Sequence, residues 1–130
     1  SVWLTTAESE VPPVIKEKMV AATSSQTTRS RSRTGKHSRQ LVSEWTKAWE
    51  ADGAPKPLPL PLQPMVAEPA LTKVNKLAEG GHEGAKELST YWVGQGVGLM
   101  NQTISASDVV QEFKEDFIEA YERLANFVGN

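Results

Sequence analysis

Chemistry in this chain has to come from a short list of residues. Residues 93–98 read VGQGVG, with Gly94, Gly96 and Gly98 at every second position and Gln95 as the polar group among them. Residues 29–39 read RSRSRTGKHSR and contain Arg29, Arg31, Arg33, Lys36 and Arg39. The two histidines, His37 and His82, stand 45 positions apart. Three alternating glycines can cradle a phosphate, tighten a packing turn or line a ligand cavity. A dinucleotide fingerprint needs GxGxxG between a strand and a helix, and a P-loop needs Gly-Lys-Ser/Thr. The stretch GQGVG meets neither requirement. On residues alone a packing turn is the default, because glycine most often serves unusual backbone angles. A functional turn would rely on Gln95.

The basic run offers contacts to an anion. Nucleic-acid modules add stacking aromatics or a recognition helix, and residues 23–44 contain neither, so a solvated loop or a small anionic ligand is preferred. Neither histidine has a metal-ligand spacing with Asp or Glu, and no metal site is expected. The serines lack a nucleophile-elbow context. The acids Glu112, Glu115, Asp116, Glu119 and Glu122 recur as the outer face of a helix rather than as a catalytic pair. The catalytic residues stay unknown at this level.

The elements that must position these groups are mainly helical. The 130 residues suffice for one domain, and the 23% charged residues and four Trp are those of a globular chain. Charge is uneven: Lys18–Leu41 carries six cations and no acid, whereas Glu68–Asn130 carries ten acids and five bases. There is no cysteine, which excludes disulfides and thiolate chemistry. No run reaches the roughly 20 apolar residues of a membrane span. The opening SVWLTT is unlike a signal peptide and reads as a mid-element start, hence a fragment. A cytoplasmic location is expected.

Along the chain, residues 2–5 are β-prone but too few and too solitary to found a sheet. Pro12 and Pro13 suit a first helical turn, with Val11, Ile15, Met19 and Ala22 on its apolar face. If the segment from Thr27 to Arg33 is extended, Arg29, Arg31 and Arg33 share one side. A helix is expected from about Ser38, carrying Leu41, Trp45, Ala48 and Trp49 and stopping at Gly53. Residues 54–64 hold five of the eight prolines and should form a stiff connector. A third helix is expected after Pro69, with Leu71, Val74, Leu77 and Ala78 inward. Ser105 or Ser107 can cap a last amphipathic helix marked by Val110, Phe113, Phe117, Tyr121, Leu124 and Val128.

Read together and in order, SVWLT, AESEVPPVIKEKMVAA, TRSRSRTGKHSR, EWTKAWEADGAPKPLPLPLQ and VGQGVGLMN resemble the nitronate monooxygenases (2-nitropropane dioxygenases) and their flavin-dependent relatives. The third stretch resembles that family's Thr-Arg-x-x-Thr-Gly-Arg-x-x-Arg segment, and the last its Val/Ala-Gly-Gln-x-x-Gly segment. The resemblance implies the C-terminal, mostly helical substrate domain of an FMN-dependent oxidoreductase, normally packed on a (β/α)8 barrel that this chain does not contain. Residues 1–25 then correspond to the end of the last barrel strand and its helix, 26–106 to the helical substrate domain, and 107–130 to the terminal helix. Ser1 corresponds to a position beside the FMN phosphate, and Gly94, Gln95, Gly96 and Gly98 to a loop of the substrate cavity. On that reading a Cβ at any of the three glycines obstructs the cavity or strains the turn.

The substrate implied is an alkyl nitronate or, for related reductases and dehydrogenases, an acyl-coenzyme A whose phosphates Arg29, Arg31, Arg33, Lys36 and Arg39 would meet. The partners expected are the barrel, a small-molecule substrate and further copies of the chain, with no nucleic acid and no membrane. The isolated chain is expected to be inactive, to hold FMN weakly, and to expose Trp45, Trp49 and the apolar side of its last helix. A non-enzymatic helical interaction module is the competing class.

Overall fold

Pro12 and Pro13 open the first helix as their geometry dictates, since proline fixes φ and its missing N–H falls among donors that have no helical acceptor. In the computed structural model, which describes residues 1–129, α1 spans Pro13–Ala21. Ile15 and Met19, one turn apart, are fully buried and join Val11, Leu41, Val93 and Val97 in the hydrophobic core. The expected apolar face of α1 is therefore the one that packs.

Lys18 lies beside this face, and its ammonium donates to the carbonyls of Ser89 (2.7 Å) and Glu87 (3.2 Å). Burial pushes its pKa below 10.5, against the weaker opposing pull of the Glu87 and Glu44 carboxylates. The unfolded chain thus binds more protons between the lowered value and 10.5, and Lys18 adds stability as pH rises through that window. Wild type should accordingly gain melting temperature relative to Lys18→Met as pH approaches 10.5. A gap that stays flat in paired thermal melts would contradict this.

The chain then forms a two-stranded antiparallel hairpin, β1 (Thr27–Ser30) and β2 (Ser38–Leu41), with Thr27 opposite Leu41 and Arg29 opposite Arg39. The sequence pattern placed a helix from about Ser38. The strand prevails because β2 is paired along both edges. Leu41 N–H donates to Tyr91 O (3.1 Å), Val93 N–H donates to Arg39 O (3.1 Å), and Gln40 bridges to Trp92. The helix itself, α2, starts later, at Glu44–Glu50, behind a reciprocal Ser43–Thr46 capping box. In the hairpin loop Gly35 takes φ +82°, and a Cβ there would lie 3.0 Å from Leu60 N and against Leu58 O.

Those neighbours belong to the Pro-rich connector, which lies over the hairpin and ends sooner than expected, because residues 62–64 already belong to the next helix. Gln63, fully buried, ties the two together: its amide donates to Ser32 O (2.6 Å) and its carbonyl accepts from Leu58 N–H (2.9 Å). Helix α3 runs Leu62–Glu79 and contains Pro69 within it, rather than beginning after that residue. Pro69 is exposed, so its ring and lost hydrogen bond sit on the solvent side. Leu71 and Ala78 are buried, whereas Leu77 is largely exposed. A short α4 (Glu83–Leu88) follows, capped by His82, whose Nδ1 accepts from Ala85 N–H (3.2 Å).

Residues 1–7 form consecutive turns, with Leu4 N–H donating to Ser1 O and Thr6 N–H to Trp3 O. As their short, solitary run implies, residues 2–5 pair with no strand among the described residues; the barrel strand whose end the resemblance places here would need neighbours from the barrel. The last helix, α5 (Ala106–Val128), is capped by Ser105 through Asp108 N–H (3.0 Å). It is anchored at its start by Ala106 N–H on Glu8 (2.8 Å), buried Val109 and an edge-on Trp3–Phe113 contact at 5.9 Å. The architecture is thus mostly helical, with one small sheet. No helix of the described residues is long and apolar enough to cross a membrane.

Candidate functional site

The glycine stretch folds as a 3-10 helix, Gln95–Leu99, whose Val97 is fully buried in the core. None of its glycines has a positive φ, so backbone strain does not explain them. Space does, at one position. A Cβ on Gly98 would meet Ser24 Oγ and lie 2.6 Å from Ser24 N, so this turn and the segment after α1 touch through bare backbone. Gly96 has nothing within 4 Å of such a Cβ, and Gly94 only Ser1 Oγ at 3.7 Å. The expectation that any Cβ in the loop obstructs is therefore corrected within this chain to Gly98 alone.

Gly94 matters in another way. Its N–H donates to Ser1 Oγ (3.1 Å), and that hydroxyl lies 3.5 Å from Gly94 O. Two residues 93 positions apart, singled out for different reasons, are thereby held in contact. The Gln95 side chain next to them is exposed and makes no hydrogen bond among the described residues. Beyond the far end of the 3-10 helix a cleft of about 410 Å³ opens, lined by Val2, Thr5, Leu99, Gln102, Val109 and Phe113 among others. Gln95 is outside that lining. The residues that shape the cleft gave no sequence signal, since their convergence depends on where residues 1–7 and α5 are carried in space.

The basic residues do not form one face. Strand β1 ends at Ser30, so the alternation that would align Arg29, Arg31 and Arg33 is broken by the turn. Arg33 is 6% exposed and is held by Glu68 through Nε–Oε1 (2.8 Å) and NH2–Oε2 (3.3 Å). Its guanidinium lies 3.6 Å from the Trp92 ring centroid and 5.5 Å from that of Tyr91. Arg33 is thus a structural residue, and the pattern missed its partners Glu68 and Trp92. Arg31 Nε donates to Gly35 O, closing the hairpin loop. Arg29 and Lys36 are exposed. Arg39 is half-buried, donates to Thr27 Oγ1 (2.9 Å), and faces Arg29 across the ladder.

Trp45 and Trp49 pack on each other with centroids 6.0 Å apart, and Trp45 Nε1 donates to Ser32 Oγ (3.2 Å). Both are half-buried. His82 is occupied as a helix cap and His37 is exposed. No group of His, Cys, Asp and Glu able to hold a metal occurs among the described residues.

Comparison with known proteins gives a consistent outcome. The nitronate monooxygenase family model matches residues 1–116. Rv1533 of Mycobacterium tuberculosis, named for a proposed monooxygenase activity, is 47% identical over 129 residues, 98% of this chain and 34% of its own length. FabK from Thermotoga maritima superposes with a TM-score of 0.67 at 27% identity, across 97% of this chain and 38% of that one. A mutant of the same FabK gives 0.63 at 21% identity, a likeness of fold alone. The chain spans about a third of the length of these relatives. Matched by the family model over most of its residues, and nearly half identical to a relative across almost all of them, the chain belongs to the nitronate monooxygenase family.

Proposed function

We propose that this chain is the helical, substrate-side part of an FMN-dependent oxidoreductase acting on an alkyl nitronate. The observation that carries the reading is the Ser1–Gly94 contact. It joins the residue that corresponds to a flavin-phosphate position with the loop that corresponds to the substrate cavity. Ser1, Gly94, Gln95, Gly96 and Gly98 would then sit on the wall between two parts of a larger protein, where small-molecule sites tend to form. Residues 1–25, 26–106 and 107–130 keep the roles that the resemblance gives them.

The residues present fit one edge of an FMN phosphate site. Ser1 Oγ accepts from Gly94 N–H (3.1 Å) and donates only over a long 3.5 Å contact to Gly94 O, which a phosphate oxygen would displace. When bound, FMN would supply the electron-accepting chemistry and its reduced form the reaction with oxygen. This chain's share is positional. Gly98 seats the loop on Ser24, Gly94 fixes Ser1, and Gln95 presents a free amide to a polar group of the substrate.

One hydroxyl makes a poor cradle, since phosphate sites draw on several convergent N–H groups or a helix N-terminus. The isolated chain should therefore bind FMN more weakly than about 1 μM, whereas a protein carrying the preceding barrel should be yellow and consume oxygen with an alkyl nitronate. Titrating FMN against both tests this. Sub-micromolar binding by the chain alone, or a colourless longer protein, would sink the proposal.

A second reading, an acyl-coenzyme A substrate, draws on Arg29 and Arg39. Like charges directly opposite on a ladder destabilise it. Among the described residues no carboxylate lies in ion-pair range of either. An anionic ligand between them would offset that repulsion. Including coenzyme A in the same titration favours this reading only if binding weakens with salt.

A further inference from the structure

Arg33 holds more than its own ion pair. Its guanidinium centre lies 3.6 Å from the Trp92 ring centroid and 5.5 Å from that of Tyr91. Two bonds to Glu68 on α3, from Nε and NH2, fix the plane of that guanidinium. Trp92 is 37% exposed and stands outside the hydrophobic core, so the core does not hold its ring. Its neighbours are the Arg33 guanidinium, the Tyr91 ring at 5.8 Å in an edge-on contact, and Gln40 across the ladder.

Gln95 follows Trp92 by three residues, at most about 11 Å of chain. Over that length the backbone is tied at Val93, whose N–H donates to Arg39 O (3.1 Å), and at Gly94, whose N–H donates to Ser1 Oγ (3.1 Å). Gln95 is exposed without a hydrogen bond among the described residues, and open space surrounds Gly96. Neither residue steers the turn. Its course is set from its two ends, by Gly98 against Ser24 on one side and by Trp92 and Val93 on the other.

We propose that Arg33 is the positioning residue of the Gly94–Gln95 turn, acting through the Trp92 ring, with Glu68 as its anchor on α3. Stability alone does not account for the arrangement. Buried ion pairs add little over well-packed apolar residues, and Arg33 NH1 stays buried with no partner. What the pair supplies is a single geometry: two parallel bonds orient a flat cation, and the flat cation orients a ring. All of these contacts lie within the chain and need no further domain. The consequence for turnover rests on Gln95 being a substrate contact, as proposed above; the consequence for the turn does not.

Two variants release the ring from opposite sides: Arg33→Met, and Trp92→Leu, which leaves the Arg33–Glu68 pair in place. The first measurement is 15N relaxation on the chain itself. Backbone order parameters at Gly94, Gln95 and Gly96 should be about 0.8 or more in the unmodified chain and fall below about 0.6 in both variants. Those at Ala85 and Val109, buried in α4 and α5, should stay constant and show that the variants are folded. If Arg33→Met does not fold, Trp92→Leu still decides. Unchanged order parameters at the turn overturn the proposal, as does a turn already flexible in the unmodified chain.

The second measurement is a mutant cycle in a protein that also carries the proposed barrel. Arg33→Met alone should lower turnover by about tenfold or more, yet by less than about twofold in a Gln95→Ala background. Equal losses in the two backgrounds would mean that Arg33 acts through overall stability, and they overturn the proposal. Should Gln95→Ala itself leave turnover unchanged while the turn loosens in both variants, the substrate reading fails and Arg33 still positions the turn.

Discussion

In a protein that also carries the proposed barrel, Gln95→Ala is expected to lower turnover by up to about 100-fold, the usual loss for one positioned hydrogen-bonding group, while the melting temperature stays almost constant. The Gln95 amide is exposed and bonds to nothing among the described residues, so truncating it removes no contact that holds the chain together. Gly98→Val should behave in the opposite way. Its Cβ would lie 2.6 Å from Ser24 N, and this backbone neighbour cannot rotate aside. Overpacking of this kind costs about 1–3 kcal/mol, with activity falling as the turn shifts. Gly96→Ala is the control for stability alone, because open space surrounds that position within this chain. Steady-state kinetics and thermal melts on the three variants separate the alternatives. Unchanged kinetics for Gln95→Ala would leave the loop a packing turn, and tolerance of Gly98→Val would contradict the close contact with Ser24.

The second large effect concerns Arg33. Removing its partner by Glu68→Ala should cost about 3 kcal/mol, equivalent to a fall of roughly 10 °C in a chain of this size. The Arg33 side chain is 7% exposed and that of Glu68 41%, so the damage comes from leaving a buried guanidinium without its carboxylate. One of its nitrogens, NH1, already lacks a partner. Arg33→Met should be much milder. It removes the buried charge and keeps an unbranched chain beneath Trp92, giving up a cation–π contact of about 1 kcal/mol. Glu68 then turns to solvent. Thermal melts of both variants decide the matter: if Arg33→Met proves as damaging as Glu68→Ala, the loss is one of packing rather than of charge.

The helical character, the proline start of α1, the Pro-rich connector and a serine cap of α5, at Ser105 or Ser107, could all be read from the sequence. Each depends on neighbours within a few residues: proline geometry, a hydroxyl three positions before an N–H, or apolar residues every third or fourth place. The family resemblance was legible for a related reason, since ordered short segments survive in one dimension. What local pattern could not supply was partnership across the chain. SRQL became a strand because β1 pairs with one of its edges and Tyr91 and Val93 meet the other from about 50 positions away. VWLT did not, having no strand beside it. Arg33 looked like one of five equivalent cations until Glu68 and Trp92 enclosed it, and only Ser24 distinguishes Gly98 from Gly96. Composition and periodicity give each residue its capacity to bond or pack. Tertiary structure decides which of those capacities is used up internally and which, as with Gln95 and the bare side of α5, remains open.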